Sequence, residues 1–577
     1  MVKASVYLLF LIPLALIAIH VWVSPYTKVE ESFHIQAIHD IATYGIPLKD
    51  IQDKFRAQYD HFSFPGAVPR TFIGALVIAG FLRLELLRES VLTRQLIARW
   101  GLGLFNGYSL LSYAEGLQRA FGTTTSTWYI LFLASQFHVI YYATRTLSNM
   151  FAFGITTLAL RYLLPEPVAA EKYSKRCRLS LYLMTVAGII FRSEIALLLA
   201  AHTIFLFVAG RISIRREIIP AGVSGLLIGL MLTLAVDSFF WQQFPLWPEL
   251  AAFKFNVISG QASAWGTHPW HFYFSNALPR LLLNPLTYLV GIPSALFHVA
   301  TRRNALYILV PSLAYIAIYS LQPHKEWRFI IYTIPPLTAV SALGTAYIWT
   351  HRTKSILYRL LSFLIILSTL ASFLVSNFIL LPISAANYPG AYALNALHAH
   401  AHNTKPTISV HLGNLACQTG VTRFLQLPPP EKPLVYLPGS PDGSIPPLRS
   451  GSSLWKYDKT ENETIKSSPG FWEQFDYVLA EPDEEAKIRS LAEDSDGDKR
   501  WEVVNVVDGF AGVNILRPAE GTGTGGKFEE ELFGKILGRK GAELWRFGVE
   551  MARRYVTKGW WAEVRMEPKI KILKRVR

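Results

Sequence analysis

The sequence predicts a mainly α-helical membrane protein with many crossings and a smaller α/β domain at its C-terminal end. Of its 577 residues, 51% are hydrophobic and only 17% are charged, whereas about a quarter of a typical soluble chain is charged. Long apolar stretches follow one another over residues 1–381, while residues 382–577 have the composition of a soluble domain. We therefore expect a membrane domain over 1–381 and a separate domain over 382–577.

The apolar stretches predict about eleven transmembrane helices. We place them near residues 5–23, 69–87, 96–114, 126–163, 178–191, 195–210, 217–237, 274–298, 305–321, 327–349 and 356–381. The stretch 126–163 is too long for one helix, so a bend is expected near Arg145. The first stretch has a single lysine before it and no small-residue cleavage site after it, which favours a retained helix over a signal peptide.

Basic residues predict the orientation of the chain, because loops rich in lysine and arginine remain in the cytosol. They cluster in alternate loops, at Arg88 and Arg94, Lys172 to Arg178, Arg211 to Arg216, Arg302 and Arg303, and Arg352 and Lys354. The loops 24–68, 238–273 and 321–327 and the C-terminal domain then lie on the opposite side. That domain carries one Asn-x-Thr sequon at Asn462, with strand-like runs at Ile408–Leu412, Tyr477–Ala480 and Trp501–Val507.

Composition also excludes several classes of function. The formal charge of +15 could suit nucleic acid, but the basic residues lie in short clusters between apolar stretches, so we expect no nucleic-acid partner. Cys177 and Cys417 are too few for a disulfide framework or a metal site. No phosphate-binding glycine motif is present, which argues against ATP or a nucleotide sugar as substrate.

Candidate catalytic residues collect in the loops predicted to be non-cytosolic. The adjacent carboxylates Glu30 and Glu31 directly follow the first helix, where one of them could act as a general base; a solvated helix start is the structural alternative. Gln36, His39 and Asp40 continue this cluster at helical spacing.

Two further clusters contain cations and aromatic rings that could bind a phosphate and a sugar. One contains Tyr59, Asp60 and His61 and ends at Arg70, at the start of the second helix. The other is the run from His324 to Arg328, which includes Lys325 and Glu326. Arg70 could instead be an interfacial arginine that reaches toward the headgroups.

Arg145 and the pair Arg192 and Glu194 are further candidates, because ionisable residues at membrane segments are often functional. The aromatic stretch that begins at Trp265 could stack on a sugar or form an interfacial belt. Transfer of a sugar from a lipid phosphate to a hydroxyl would need such an acidic loop as base and fixed cations to hold the phosphate.

Five motifs in this order resemble the dolichyl-phosphate-mannose-dependent mannosyltransferases: PYTKVEESF, YDHFSFPGAVPRTF, RTLSN, WGTHPWHFYFSNALPR and HKEWRF. They are most similar to the α-1,6 branch that adds the eighth mannose in N-glycan precursor assembly, and the resemblance extends to about Phe424. It implies a GT-C membrane fold, an active site on the lumenal side of the endoplasmic reticulum, and inversion at the transferred carbon. It implies no metal or other cofactor.

The resemblance also implies roles for the candidate residues. Glu30 or Glu31 would deprotonate the acceptor 6-hydroxyl; the family more often has Asp-Glu here, and the residues leave open which glutamate is the base. His324, Lys325 and Arg328 would bind the donor phosphate, assisted by Arg70 and Arg145. Glu326 would orient Lys325 or a sugar hydroxyl, and Trp265 would shape the acceptor groove.

Two other functions remain open at this stage. An α-1,2-mannosyltransferase of the same family, acting on lipid-linked oligosaccharide or a glycolipid anchor, would form a different linkage. A transporter or lipid flippase predicts internal repeats and ionisable residues at mid-membrane depth, and the sequence has no evident repeat.

Overall fold

The computed structural model describes residues 2–85, 91–401, 404–427, 454–494, 500–518 and 527–576. It divides into two compact units. The first contains Met1–Val21, Pro47–Glu85 and Ile97–Ile379; the second contains Trp22–Ile46, Leu86–Leu96 and Leu380–Arg577. The predicted basic loop residue Arg88 lies outside the described residues. The domain boundary expected between residues 381 and 382 stays a prediction.

The first unit is helical throughout the residues described. Its helices are α1 (Val2–Val23), α3 (Ile51–Gln58), α4 (Asp60–Ser63), α5 (Ile73–Glu85), α6 (Val91–Phe121), α7 (Thr123–Ser135), α8 (Phe137–Tyr142), α9 (Ser148–Leu163), α10 (Ala170–Ile190), α11 (Ile195–Val208), α12 (Ile219–Trp241), α13 (Pro248–Phe253), α14 (Leu278–Leu282), α15 (Ile292–Phe297), α16 (Val299–Tyr319), α17 (Ile334–Thr350) and α18 (Ile356–Leu374). α1 and α6 each extend across a boundary between the two units. The interruption between α8 and α9 is at the bend predicted near Arg145.

Packing separates buried helices from lipid-facing ones. α17 begins with a Pro-Pro pair in its first turn, where missing amide protons do no harm, and its apolar residues are buried on all sides. A helix that is apolar all round belongs in a core. α12 and α18 are equally apolar but expose most of their side chains, as helices in contact with lipid do.

Three helical stretches among the described residues are long and apolar enough to cross a membrane: Ile214–Trp241, Trp327–Thr350 and Ile356–Ala385. Tyr273–Leu282 and Thr287–Phe297 form a fourth if counted together, although they meet at 111°. Shorter apolar helices add to this set, and the count of about eleven remains a prediction. The predicted single helix 274–298 is wrong in shape, because the segment bends at Asn284.

Asn284 explains why the bend is stable in an apolar setting. Its side-chain amide donates to Thr369 Oγ1 at 3.0 Å, and its carbonyl oxygen accepts from Ser368 Oγ at 2.6 Å and from the Leu286 N–H at 3.0 Å. Backbone polar groups released by a helix break need such partners inside a membrane protein. Leu283 has a φ of 57°, which turns the chain sharply.

The second unit is a mixed α/β structure around a five-stranded sheet. Its strands are β1 (Thr407–Leu412), β2 (Leu454–Asp458), β3 (Tyr477–Ala480), β4 (Arg500–Leu516) and β5 (Trp561–Val576), in the order β2-β1-β3-β5-β4. β1 is parallel to β2 and β3, and β5 is antiparallel to β3 and β4. The three predicted strands are confirmed, β4 being longer than predicted.

The second unit also contains nine α-helices within the described residues. They are α2 (Ser32–Tyr44), α19 (Leu381–Ala385), α20 (Pro389–Ala401), α21 (Asn414–Gln418), α22 (Glu463–Lys466), α23 (Pro469–Trp472), α24 (Pro482–Asp494), α25 (Lys527–Leu537) and α26 (Arg539–Met551). The core of the unit joins α20 to the buried sides of β1 and β5, at residues such as Leu394, Val410 and Ile572.

Candidate active site

The turn between α10 and α11 holds a buried ion pair. Arg192 Nε lies 2.8 and 3.1 Å from the two carboxylate oxygens of Glu194. Asn149 Nδ2 donates to the same carboxylate at 2.9 Å and the Tyr332 hydroxyl donates at 3.2 Å. Glu194 is only 6% exposed, so its charge is balanced by these donors rather than by water. The network therefore fixes the direction of the Arg192 guanidinium.

The HKEWRF segment forms a second group of paired charges, at the start of the buried helical stretch Trp327–Thr350. Arg328 binds Glu326 through two nitrogens, at 2.5 and 2.7 Å. His324 Nε2 lies 3.1 Å from the same carboxylate, while its Nδ1 lies 2.9 Å from the Gly266 carbonyl. Both ring nitrogens thus lie within hydrogen-bond distance of acceptor oxygens. Glu326 orients Arg328 and His324.

Lys325 connects two loops rather than presenting a free ammonium group. Its side chain is buried, and Nζ donates to the carbonyls of His268, at 2.9 Å, and Gln322. The His268 N–H in turn donates to the Pro323 carbonyl at 3.0 Å. Burial lowers the pKa of Lys325. The ammonium group thus joins the loop around 266–268 to the loop that carries His324.

Arg70 is a cation without a partner among the described residues. Its backbone carbonyl accepts from Trp241 Nε1 at 3.0 Å, but its guanidinium makes no hydrogen bond or ion pair within the part of the chain that the structure describes. Burial, and then repulsion from Arg192 and Arg328, lower the pKa of Arg70 to about 10. An arginine held against other arginines is suited to an anionic ligand.

Glu249, near the start of α13, belongs to the same group of charges. Its carboxylate accepts from the Ser193 N–H at 2.7 Å. Burial raises the pKa of Glu249 to about 7, against the opposing effect of Arg192. The cluster thus contains Arg70, Arg192, His324, Lys325 and Arg328 as basic residues and Glu194, Glu249 and Glu326 as acids. We call these eight residues the ionic cluster; its four lysine and arginine side chains outnumber its three acids, so it favours an anion.

The cluster offers no ligand set for a metal. No group of three or more histidine, cysteine, aspartate or glutamate side chains suitable for a metal ion occurs within the described ranges. The ionic cluster is instead rich in nitrogen donors, which bind phosphate oxygens.

Tyr59 and His61 lie in an aromatic cluster. Both are buried, with Phe55, Phe72 and Phe240 around them. His61 Nε2 donates to the Phe240 carbonyl at 2.9 Å. This environment favours a packing role that holds the segment leading to Arg70. Asp60 begins α4 and is half-buried.

Arg145 and Trp265 lie in opposite environments. Arg145 is fully buried at the break between α8 and α9, with its guanidinium 4.3 Å from the centre of the Tyr141 ring. A desolvated cation over an aromatic face is a stabilising contact, so Arg145 supports the helix break.

Trp265 ends a short helical turn, Gln261–Trp265, and is 65% exposed. Its ring is accessible to a ligand or to lipid headgroups.

Glu30 and Glu31 belong to the second unit and differ in their surroundings. Both lie in a short helical turn, Val29–Glu31, directly before α2. Glu31 is 2% exposed, and its Oε1 accepts from the Lys28 N–H at 3.1 Å, which caps the turn. Glu30 is exposed, and its carboxylate has no hydrogen bond or ion pair with the residues that the structure describes.

The polar residues that continue this cluster at helical spacing bind a distant motif. Arg423 lies 2.5 Å from Asp40, and its backbone N–H donates to Gln36 Oε1 at 2.9 Å. Arg423 belongs to the segment ACQTGVTRFLQ, residues 416–426, next to the end of the resemblance near Phe424. Gln36 and Asp40 therefore hold α2, which directly follows the glutamates, to that segment.

The sequence matches the profile of the Alg9-like mannosyltransferase family over residues 8–426. The chain belongs to this family. The match includes the ionic cluster and both glutamates. The protein is therefore a glycosyltransferase, as the motifs predict.

The names of two similar proteins agree with the branch of the family that the motifs resemble. A probable Dol-P-Man:Man(7)GlcNAc(2)-PP-Dol α-1,6-mannosyltransferase of Schizosaccharomyces pombe is 36% identical over 83% of this chain and 78% of its own length. The Dol-P-Man:Man(7)GlcNAc(2)-PP-Dol α-1,6-mannosyltransferase of Saccharomyces cerevisiae is 33% identical over 86% of this chain and 87% of its own. The crystal structure of apo ArnT from Cupriavidus metallidurans, 13% identical, has a TM-score of 0.57 over 88% of this chain and 97% of its own. The fold is thus similar to that of ArnT, which agrees with the GT-C-like architecture expected from the motifs.

Sequence reasoning about this mannosyltransferase missed Glu249 and Tyr332 as members of its ionic surroundings. Glu249 lies in an ordinary-looking helix start, and Tyr332 lies inside an apolar run, so neither stands out in a linear reading. The one available signal was the pair Arg192 and Glu194. A buried pair of that kind needs further donors, and these come from other elements.

Proposed function

We propose that the chain transfers one mannose from dolichyl phosphate mannose, in α-1,6 linkage, to the lipid-linked acceptor Man7GlcNAc2-PP-dolichol. The observation that carries this proposal is the similarity, over more than four fifths of the chain, to two proteins with that activity in their names. The motifs that resemble the same branch agree with it.

In the proposed reaction, a loop glutamate removes the proton from the acceptor 6-hydroxyl. The oxygen attacks carbon 1 of the donor mannose from the face opposite the phosphate. The bond between carbon 1 and the phosphate oxygen breaks, and its electron pair leaves with dolichyl phosphate. The configuration inverts, and the proton remains on the glutamate carboxyl until solvent removes it. No strong general acid is needed, because the phosphate is already a good leaving group.

Glu30 is the glutamate we favour as base. Its carboxylate is exposed and unpaired within the described residues, whereas one oxygen of Glu31 caps its own turn. A base must reach the acceptor hydroxyl within hydrogen-bond distance, which an exposed carboxylate can do without breaking a cap. Glu31 then acts as a positioning residue that holds the turn.

Arg70 is the cation we favour for the donor phosphate, with Arg192, Arg328 and His324 around it. The unpaired guanidinium of Arg70 supports this assignment, since charge builds on the phosphate oxygens as the bond breaks. The remaining candidates take other parts. Lys325 and Glu326 position the loop and its cations, Arg145 supports the helix break, and Trp265 lines the acceptor groove.

The enzyme is proposed to lie in the endoplasmic reticulum membrane, with about eleven crossings and with the active site and C-terminal domain in the lumen. The exposed sequon Asn462-Glu463-Thr464 tests this orientation. In microsomes, Asn462→Gln and Thr464→Ala should abolish an endoglycosidase-sensitive shift in mass, while Thr464→Ser should retain it. A second acceptor site made by Glu493→Asn, with Asp494 and Ser495, at the end of the polar helix α24, separates a poorly used sequon from a cytosolic domain. Failure of both sites would contradict the orientation.

Mannose transfer by the purified protein tests the reaction. The full chain is given dolichyl phosphate mannose and the seven-mannose acceptor, and the linkage of the product is determined. Formation of an α-1,6-linked eighth mannose supports the proposal. An α-1,2 linkage formed on another acceptor would instead favour the other branch of the family, and movement of lipid without transfer would favour a flippase.

Charge-neutral variants then identify the base. Glu30→Gln should reduce transfer by about 100-fold or more, and Glu31→Gln should reduce it less while lowering thermal stability. Asp53→Asn, which neutralises an acid exposed on α3, is the matched control and should remain active. Full activity of both glutamate variants would refute the role of the loop.

A further inference from the structure

The last part of the chain forms a helical hairpin with one packed face. α25 and α26 meet through the Phe533 and Trp545 rings, which stack at 4.3 Å. At Gly541 a Cβ would lie 2.4 Å from the Phe533 carbonyl oxygen, so the close approach requires glycine. Leu532 is buried on the same side. The hairpin therefore has a defined inner face, and its other apolar residues are not needed to form it.

The outer face of α26 carries an exposed apolar stripe. Leu544, Phe547 and Met551 are separated by three and four residues, so they share one side of the helix. Their exposed fractions are 64%, 58% and 36%, and Tyr555, four residues on, is 67% exposed. Large apolar side chains exposed together indicate a surface that another partner covers.

Basic residues outnumber acidic ones around this stripe, and the exposed Glu543 and Glu550 also border it. Between residues 539 and 558 the chain has six basic and two acidic residues. Arg539 pairs with Glu543 at 3.0 Å, whereas Lys540 and Lys558 are exposed and form no ion pair with any described residue. Trp560, at the end of the segment, is 50% exposed. An apolar stripe bordered by lysine, arginine and tryptophan is typical of a helix that lies in the headgroup region of a membrane.

The charges decide between a bilayer and a second copy of the chain. In a two-fold contact the same patch would face itself, so the basic borders of the two stripes would repel each other. Lipid phosphates attract those borders. A bilayer is also always present, because other segments of this chain are long and apolar enough to cross one; that tether makes even a weak surface contact effective.

We propose that the α25–α26 hairpin is a membrane-surface element. Leu544, Phe547 and Met551 insert below the lipid phosphates, and the basic residues lie at phosphate level. This assignment concerns a segment beyond the family match, which ends at residue 426, and it does not depend on the acceptor, the linkage or the side of the membrane.

Depth-sensitive quenching in nanodiscs tests the proposal with the full chain. A fluorophore is attached at Gly548→Cys, in a background with Cys177 and Cys417 replaced by alanine. Gly548 is exposed on the border of the stripe, and a Cβ there meets no atom within 4 Å. The matched control is Ser490→Cys, an exposed site on the polar helix α24 of the same unit.

Lipids with a nitroxide near the headgroup should quench the probe at 548 at least about threefold more than the probe at 490. Leu544→Glu combined with Phe547→Glu should remove that difference without lowering thermal stability, since both side chains are exposed. Equal quenching at the two sites would overturn the proposal. So would quenching that is unaffected by the double substitution, or an emission shift that follows protein concentration instead of nitroxide lipid, which would indicate contact between copies.

Discussion

Replacing Arg70 by glutamine should make the protein more stable and less active. Burial, and then repulsion from Arg192 and Arg328, lower the pKa of the Arg70 guanidinium to about 10. At about 1.4 kcal/mol per tenfold change in proton affinity, the folded state is destabilised by about 3 kcal/mol when Arg70 is charged. Arg70 is charged in both states at neutral pH, so glutamine removes the whole of this penalty.

Two effects reduce the expected gain. Arg70 is only partly buried, so solvent screens some of the repulsion, and glutamine loses part of the packing of the longer side chain. A net gain of about 1 kcal/mol is therefore expected, seen as a higher thermal unfolding midpoint in detergent. Mannose transfer should fall by about 100- to 1,000-fold, the usual loss on removing a group that stabilises transition-state charge.

The matched control is Arg303→Gln, at the exposed start of α16. Tyr319 is the last residue of α16, and Arg303 lies about 24 Å from it along the helix, at 1.5 Å per residue. Removing the charge of Arg303 should change neither stability nor mannose transfer. A partial rescue of activity by Arg70→Lys would support a charge role. If Arg70→Gln lowers stability, or retains activity within about threefold, the reasoning about an unpaired cation is wrong.

Three further predictions concern other charged groups. Glu194→Ala leaves Arg192 buried without its partner and should lower stability by about 3 kcal/mol, measured by thermal unfolding, with Glu194→Gln less severe. Glu249 has a pKa of about 7, so its negative charge is lost as pH falls through 7. The KM for the donor should then fall, because the neutral carboxyl no longer repels the donor phosphate. Glu249→Gln should show the low KM at every pH. His411 has a raised pKa beside Asp458, so its charge stabilises the second unit at low pH and is lost as pH rises; His411→Asn should flatten that dependence in unfolding measurements.

Much of the fold could be predicted from the sequence where the pattern is local. β1 and β3 are short apolar runs between turn residues, and the break near Arg145 follows from a stretch too long for one helix. β5 could not be recognised in this way. Its residues Trp561–Val576 alternate charged and apolar side chains, and the same composition also suits a basic amphipathic helix. Only its pairing with β3 and β4 decides between them.

Sequence composition predicted which charged residues belong to the candidate site, but not how those residues contact one another. The charged HKEWRF segment was recognisable, since charge between apolar spans is unusual. The different roles of its members were not, because Lys325 is defined by the carbonyl of His268, 57 residues away in the chain. Arg70 likewise gains its importance from the arginines around it, which come from other loops. Long-range contacts of this kind leave no trace in spacing.

The bend at Asn284 links two segments that a hydropathy plot treats as independent. One asparagine side chain bonds both Ser368 and Thr369, on α18, and the backbone of its own loop. A leucine at 284 would be more apolar and would be scored as a better membrane residue, yet it would leave the Ser368 hydroxyl and the Leu286 N–H without the acceptor that Asn284 provides. A substitution at Asn284 should therefore be tolerated only together with changes at Ser368 and Thr369. The two segments, 84 residues apart, would then evolve as a single unit.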